Sequence, residues 1–263
     1  EKRQGLRSLP AGLTSYDVLK TTAVVLMIID HMGLYFYPDV VWFRVLGRLS
    51  VPIWFFLIGY ARSRDVSIKA LAGVVILLGA SMVAGEEILP VSILVTLMLG
   101  RYYVDIWMRA ATRGGEPMAG LFFMFLLLAF PSMYLFQYGT LGFLFVIVGA
   151  LCRFKQDIGV ELPKTLKRQI AFFSSASFFS YAIFQMAPMK VLTEVQFFTL
   201  SGCLLFLYFV FQKFKPFEFS MFNKSFGLIV KVPFQIFGRY TLEIYVLHLV
   251  LFKMLALYMY PET

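Results

Sequence analysis

Asp30 and His31 are adjacent inside one apolar run, residues 18–36, and the chain's other histidine, His248, lies inside a second apolar run near the carboxy end. An aspartate at membrane depth costs about 2.5–3.5 kcal/mol on insertion scales, so such a group needs a partner or a task. Arg44 and Arg48 follow in the next apolar run, four apart and therefore on one helix face. Arg48 falls at about the depth of Asp30 and His31, so the three are expected to meet, with Asp30 and Arg48 forming a pair because a buried charge needs one. Arg44 is expected to snorkel to the outer headgroups. A buried histidine beside an arginine suits general base catalysis, with the cation steadying an oxyanion or a phosphate. The same groups suit proton-coupled transport, and the residues alone leave both readings open.

Other chemistries are poorly served. No His-x-x-x-His or comparable ligand spacing occurs, so no metal is expected. Asp30 and His31 diverge by about 100° around a helix, which does not let one orient the other in a Ser-His-Asp arrangement. Cys152 and Cys203 have no paired spacing and read as small buried hydrophobes. The loop Arg113-Gly114-Gly115-Glu116-Pro117 lacks the spacing and terminal lysine of a phosphate-binding glycine loop.

The elements that must position these groups are membrane helices. Apolar residues make up 60% of the 263 positions, well above the roughly 45–50% of soluble domains. Apolar runs at 16–37, 42–60, 68–84, 88–108, 118–136, 139–152, 170–188, 195–212 and 234–260 predict an all-α, polytopic helix bundle of about nine spans, the sixth short for a full crossing. The net charge of +9 is concentrated in alternate loops: Arg62, Arg64 and Lys69; Arg109 and Arg113; Arg153 to Arg168; Lys213 to Lys231. The other loops offer Arg44 and Lys190 beside Asp39, Glu86, Glu87 and Glu194. The positive-inside rule then predicts a cytoplasmic amino terminus and an external carboxy terminus. Basic loops against anionic lipid account for the charge, and no nucleic acid is expected. Residues 1–15 read as a cytoplasmic tail, 16–260 as one transmembrane domain and 261–263 as a short terminal tail. Glu1 is not an initiator methionine, and no cleavable leader is read before the first span.

Within the first span, capped by Thr14 or Ser15, helical phase puts Lys20 at about 300° and His31 at about 320° from Asp17, against about 220° for Asp30. A polar stripe therefore runs from the cytosolic end to a histidine about 16 Å deeper. Pro52 is expected to kink the second span and free a carbonyl near Arg48. Arg101 and Asp105 are expected to pair four apart, as are Arg239 and Glu243. Thr241, Tyr245 and His248 form one polar stripe in the last span, and 213–233 is expected to lie on the inner interface or re-enter.

The run Tyr16 to Gly33, with Asp17, Lys20, Asp30 and His31 in place, followed by Leu46-Gly47-Arg48-Leu49-Ser50-Val51-Pro52, resembles the amino-terminal signature of the TraX family. Glu86-Glu87-Ile88-Leu89, Tyr138-Gly139-x-x-Gly142 and Tyr245-x-x-His248-Leu249 add shorter matches in order. That family is named for the conjugative pilin N-acetylase and is related to the acyltransferase-3 superfamily. The resemblance implies a membrane acetyltransferase of the bacterial inner membrane with acetyl-CoA as donor. It implies that His31 is catalytic and Arg48 functionally required; Asp30 and Lys20 match the motif without a role from the resemblance, and the expected pairing has Asp30 set Arg48. On this reading Arg62, Arg64 or Arg101 hold the coenzyme A phosphates and the pantetheine arm follows Asp17 and Lys20. Tyr245 and His248 then line the acceptor side. The acceptor is a pilin amine by resemblance, or a glycan or lipid hydroxyl. A proton-coupled transporter and a non-catalytic assembly subunit are the readings of other classes.

Overall fold

A computed structural model of the chain describes residues 12–158, 161–186, 192–219 and 228–259. The described residues are mostly helical, with one short antiparallel ribbon in which β1 (Leu13–Thr14) pairs with β2 (Glu218–Phe219) and an isolated bridge between Val91 and Phe136. The helices are α1 (Ser15–Tyr35), α2 (Val41–Gly47), α3 (Ser50–Tyr60), α4 (Ile68–Val83), α5 (Ile93–Ala111), α6 (Gly115–Met133), α7 (Leu141–Asp157), α8 (Lys164–Met186), α9 (Glu194–Lys213), α10 (Leu228–Arg239) and α11 (Thr241–Met259).

Five helical stretches among the described residues are long and apolar enough to cross a membrane: α1, α2 with α3, α6, α9 and α11. The protein is a membrane protein. The other long helices fail on composition or length. Arg101, Asp105 and Arg109 interrupt α5, serines 174, 175, 177 and 180 dilute α8, and α7 has only 17 residues. Every residue of α7 from Leu141 to Cys152 is buried, so this short span is wrapped by protein rather than lipid. Conversely, Leu127, Phe172, Phe198 and Leu205 stand exposed on α6, α8 and α9, as side chains facing lipid do.

α7 forms the centre, packed against α3, α5 and α8, while α1 is surrounded by α2, α3, α10 and α11. The α3–α7 contact is close because a Cβ at Gly59 would collide with the Val146 carbonyl. Phe55, Phe56, Phe145, Tyr181 and Phe211 fill the adjoining core, with Phe56 and Phe211 stacked at 4.0 Å.

Two expected spans are broken. The second divides at Arg48–Leu49 into α2 and α3, and Pro52 lies in the first turn of α3, where its missing N–H is tolerated. The Arg48 carbonyl, which Pro52 has no N–H to reach, accepts from the Val51 N–H at 3.4 Å and from the Tyr181 hydroxyl at 2.7 Å. The last span divides at Tyr240 into α10, which packs along α1, and α11. The expected inner-interface segment thus resolves in part into α10; its residues 220–227 lie outside the described residues, as do Lys190, the tail 1–11 and 260–263.

Candidate functional site

α1 begins with a reciprocal cap. The Thr14 hydroxyl accepts from the Asp17 N–H, and the Thr14 N–H donates to Asp17 Oδ2 at 3.0 Å. Asp17 also receives Arg239 Nε at 3.5 Å. Its carboxylate is therefore a helix cap and an ion-pair partner, and it does not line a cavity, in contrast to the expected path for a pantetheine arm. Arg239 turns to Asp17 and Glu243 to Lys69, at 3.2 Å, in place of the expected pair between them.

Three turns deeper, helical phase separates Asp30 from His31 as the spacing predicts. Asp30 faces α2, where a Cβ at position 47 would collide with its backbone, so Gly47 permits the approach. Arg44 Nη1 donates to Asp30 Oδ2 at 2.7 Å and to the Asp30 carbonyl at 3.1 Å. The expectation that Arg44 snorkels outward is corrected: a buried carboxylate one helix away is a better partner than a distant headgroup. Arg48 Nε approaches Asp30 Oδ1 only to 3.9 Å. Its principal bond is from Nη1 to the Tyr138 hydroxyl, at 2.7 Å.

His31 instead faces α11. Its Nδ1 lies 2.8 Å from His248 Nε2, and His248 Nδ1 lies 2.7 Å from the Ile244 carbonyl oxygen. The two imidazoles are near-parallel with centroids 5.0 Å apart, and the Tyr245 ring is 6.4 Å from that of His31. The two histidines, separated by 217 positions, thus form one unit.

Two cavities meet at His31, while His248, expected on the acceptor side, lines neither. The larger, about 340 Å³, opens on the basal side, where α1 begins, and is lined by Lys20, Asp30, His31, Arg101, Tyr138 and Tyr245 among others. The smaller, about 190 Å³, lies towards the distal side, where α1 ends, and is lined by His31, Glu86, Glu87, Gln137, Tyr245 and Lys253 among others. His31, Gln137 and Tyr245 line both. At the distal end Lys253 pairs with Glu86 and donates to Ser81 Oγ at 3.0 Å, while the Tyr35 hydroxyl donates to Glu86 at 3.3 Å.

The basal cations divide into two sets. Arg62 pairs with Asp157 and Arg64 with Asp105, each at 3.0 Å, and neither lines a cavity. Asp105 is taken by Arg64, which displaces the expected pair with Arg101. Arg101 donates from Nη1 to the Asp65 carbonyl at 2.9 Å, while its Nε is buried without a hydrogen-bond partner. No hydrogen bond holds the Lys20 ammonium among the described residues. Lys20 and Arg101 therefore place two cations along the basal cavity with donors to spare. No group of three or more histidine, cysteine, aspartate or glutamate side chains suited to a metal occurs among the described residues.

Two contributors escaped the sequence reading. Tyr138 enters the sequence reading only through the short Tyr138-Gly139-x-x-Gly142 match, yet it holds Arg48 and lines the basal cavity from a left-handed backbone, φ 66°, followed by Gly139 at φ 50°. A tyrosine there costs on the order of 1–3 kcal/mol, and such strain clusters at working sites. Lys253 was passed over inside its apolar run, although a lone intramembrane lysine is itself a signal.

A family model described as TraX protein matches residues 15–256. A curated relative, the uncharacterized protein RP591 of Rickettsia prowazekii (strain Madrid E), is 30% identical over 141 residues, 53% of this chain. The match spans 57% of the relative's own length. No solved structure matches.

Proposed function

The chain belongs to the TraX family, and from that premise we propose that it is a membrane-embedded acetyltransferase, taking the acetyl group from acetyl-CoA on the cytoplasmic side and delivering it to an acceptor that enters from the opposite side. The observation that carries this reading is that His31 lines two cavities, one with the cations Lys20 and Arg101 on the basal side and one with a surplus carboxylate, Glu87, on the distal side. With the amino terminus cytoplasmic, as the basic loops argue, the basal cavity faces the cytosol. Lys20 and Arg101 suit the coenzyme A phosphates, because arginine offers a rigid donor fork and both retain unused donors. Arg62 and Arg64, already paired, are replaced in that role.

His31 takes a proton from the acceptor nitrogen or oxygen as that atom attacks the thioester carbonyl. The new bond to the acyl carbon forms, the C–S bond breaks, and the thiolate leaves with the proton from His31. The developing oxyanion receives the Tyr138 O–H, whose oxygen already accepts from Arg48; Arg48 thereby acts through Tyr138, with the Asp30 carboxylate set against both Arg44 and Arg48. Tyr245, which lines both cavities, stands where donor and acceptor would meet. An acceptor amine of a pilin follows from the family's name, and Glu87, left over once Lys253 neutralises Glu86, favours an approaching ammonium, which sheds one proton to solvent before its nitrogen attacks, over a neutral hydroxyl of a glycan or lipid.

The test is turnover of acetyl-CoA by purified protein in nanodiscs, with acceptors identified by mass spectrometry. His31→Ala is expected to lower turnover at least 100-fold, within the usual range for removing a general base; wild-type turnover in the folded variant sinks the assignment. Two cavities meeting at a histidine pair also suit proton-coupled transport. That reading predicts pH-driven flux in proteoliposomes without coenzyme A.

A further inference from the structure

Resting on the acetyltransferase reading, we propose that His248 is a positioning residue that sets the tautomer of His31, so that His31 Nε2 is the nitrogen that takes the acceptor proton. The inference follows from hydrogen-bond directions. A carbonyl oxygen only accepts, so at 2.7 Å from the Ile244 carbonyl, His248 Nδ1 carries a hydrogen. A neutral imidazole has one N–H, which leaves His248 Nε2 as an acceptor. At 2.8 Å from it, His31 Nδ1 therefore carries the hydrogen and donates. The lone pair of His31 then belongs to Nε2, which no described residue hydrogen-bonds, in a ring that lines both cavities.

The chain of three ends on backbone, and that matters. Ile244 precedes His248 by one helical turn of α11, so its carbonyl is fixed with the helix and takes no part in proton exchange. When Nε2 of His31 accepts a proton, Nδ1–H goes on donating to His248, whose ring supports the imidazolium without itself being protonated. The role parallels that of the carboxylate behind the histidine in serine hydrolases, where the wrong tautomer costs about 10⁴ in rate. Here a neutral ring does the orienting. Asp30, the neighbour in sequence that resembles such a carboxylate, is turned to Arg44.

The chain holds only two histidines, so ¹⁵N-histidine labelling of the whole protein, purified on a tag without histidine, reports on these two rings alone. In wild-type protein at pH 7.5 both rings are expected as the Nδ1–H tautomer. His248→Leu removes the acceptor, and His31 is expected to shift towards Nε2–H, with kcat for acetyl transfer falling about 100-fold and KM changing less than about threefold. His248→Gln keeps an acceptor near the former Nε2; it is expected to retain Nδ1–H on His31 and recover at least about tenfold of the lost kcat. A wild-type His31 protonated at Nε2, or equal kcat in the Leu and Gln variants, overturns the proposal. Absence of thioester turnover in wild-type protein would instead remove the acetyltransferase reading, and the nitrogen spectrum would still decide the tautomer.

Discussion

At the scale of single residues, similar ion pairs differ in consequence according to burial. Asp30 and Arg44 are both buried or nearly so, with side chains 8% and 19% exposed. Removing one partner of a buried pair leaves an uncompensated charge, so Asp30→Ala is expected to cost about 3–5 kcal/mol, read as a large fall in melting temperature in detergent. Arg62 and Asp157 are 72% and 47% exposed. Arg62→Gln, which leaves Asp157 to Arg153 at 2.9 Å, should leave the melting temperature nearly unchanged, since exposed pairs contribute about 0–1 kcal/mol at most. Tyr138 allows a finer cut. Tyr138→Phe keeps the ring but removes the O–H, and is expected to lower kcat about 10²-fold with little change in KM, the signature of an interaction made only in the transition state. A rise in KM at constant kcat would move Tyr138 from the reaction to donor binding.

At the scale of elements, the site depends on how closely helices approach. Gly47 brings α2 onto α1 at Asp30, and Gly59 brings α3 onto α7. Because α7 is buried from Leu141 to Cys152, α3 has no room to retreat there, and Gly59→Leu is expected to destabilise by about 1–3 kcal/mol or more by overpacking. Unchanged thermal unfolding would mean that α3 and α7 can slide apart. The division of the second span has a related effect. By ending α2 at Gly47 and restarting at Ser50, the chain leaves the Arg48 carbonyl to Tyr181, while the Arg48 side chain bonds Tyr138. Helices α2, α7's preceding turn and α8 are thereby tied at one residue.

At the scale of the whole molecule, the two cavities should be reachable from opposite sides of the membrane. Ala70 lines the basal cavity and Leu78 the distal one, eight positions apart on α4, or about 12 Å along the axis. In a background carrying Cys203→Ala, with Cys152 buried, Ala70→Cys is expected to react with a membrane-impermeant maleimide only from the cytoplasmic side, and Leu78→Cys only from the other. Labelling of both from one side would mean a single vestibule and would argue against transfer across the membrane.

The sequence alone makes legible the membrane class, a start of α1 capped by Thr14 or Ser15, and the separation of His31 from Asp30, because composition, capping and helical phase are local properties. It also determined which groups lacked a cheap explanation at membrane depth. Packing settled their partners: Asp30 rather than lipid for Arg44, Tyr138 ahead of Asp30 for Arg48, His248 for His31, and Glu86 for Lys253. Those pairings join residues up to 217 positions apart, and phase along one helix carries no information about which face of another it meets. Asp30-His31 is two adjacent letters in the chain; packing against α2 on one side and α11 on the other makes them parts of two separate networks.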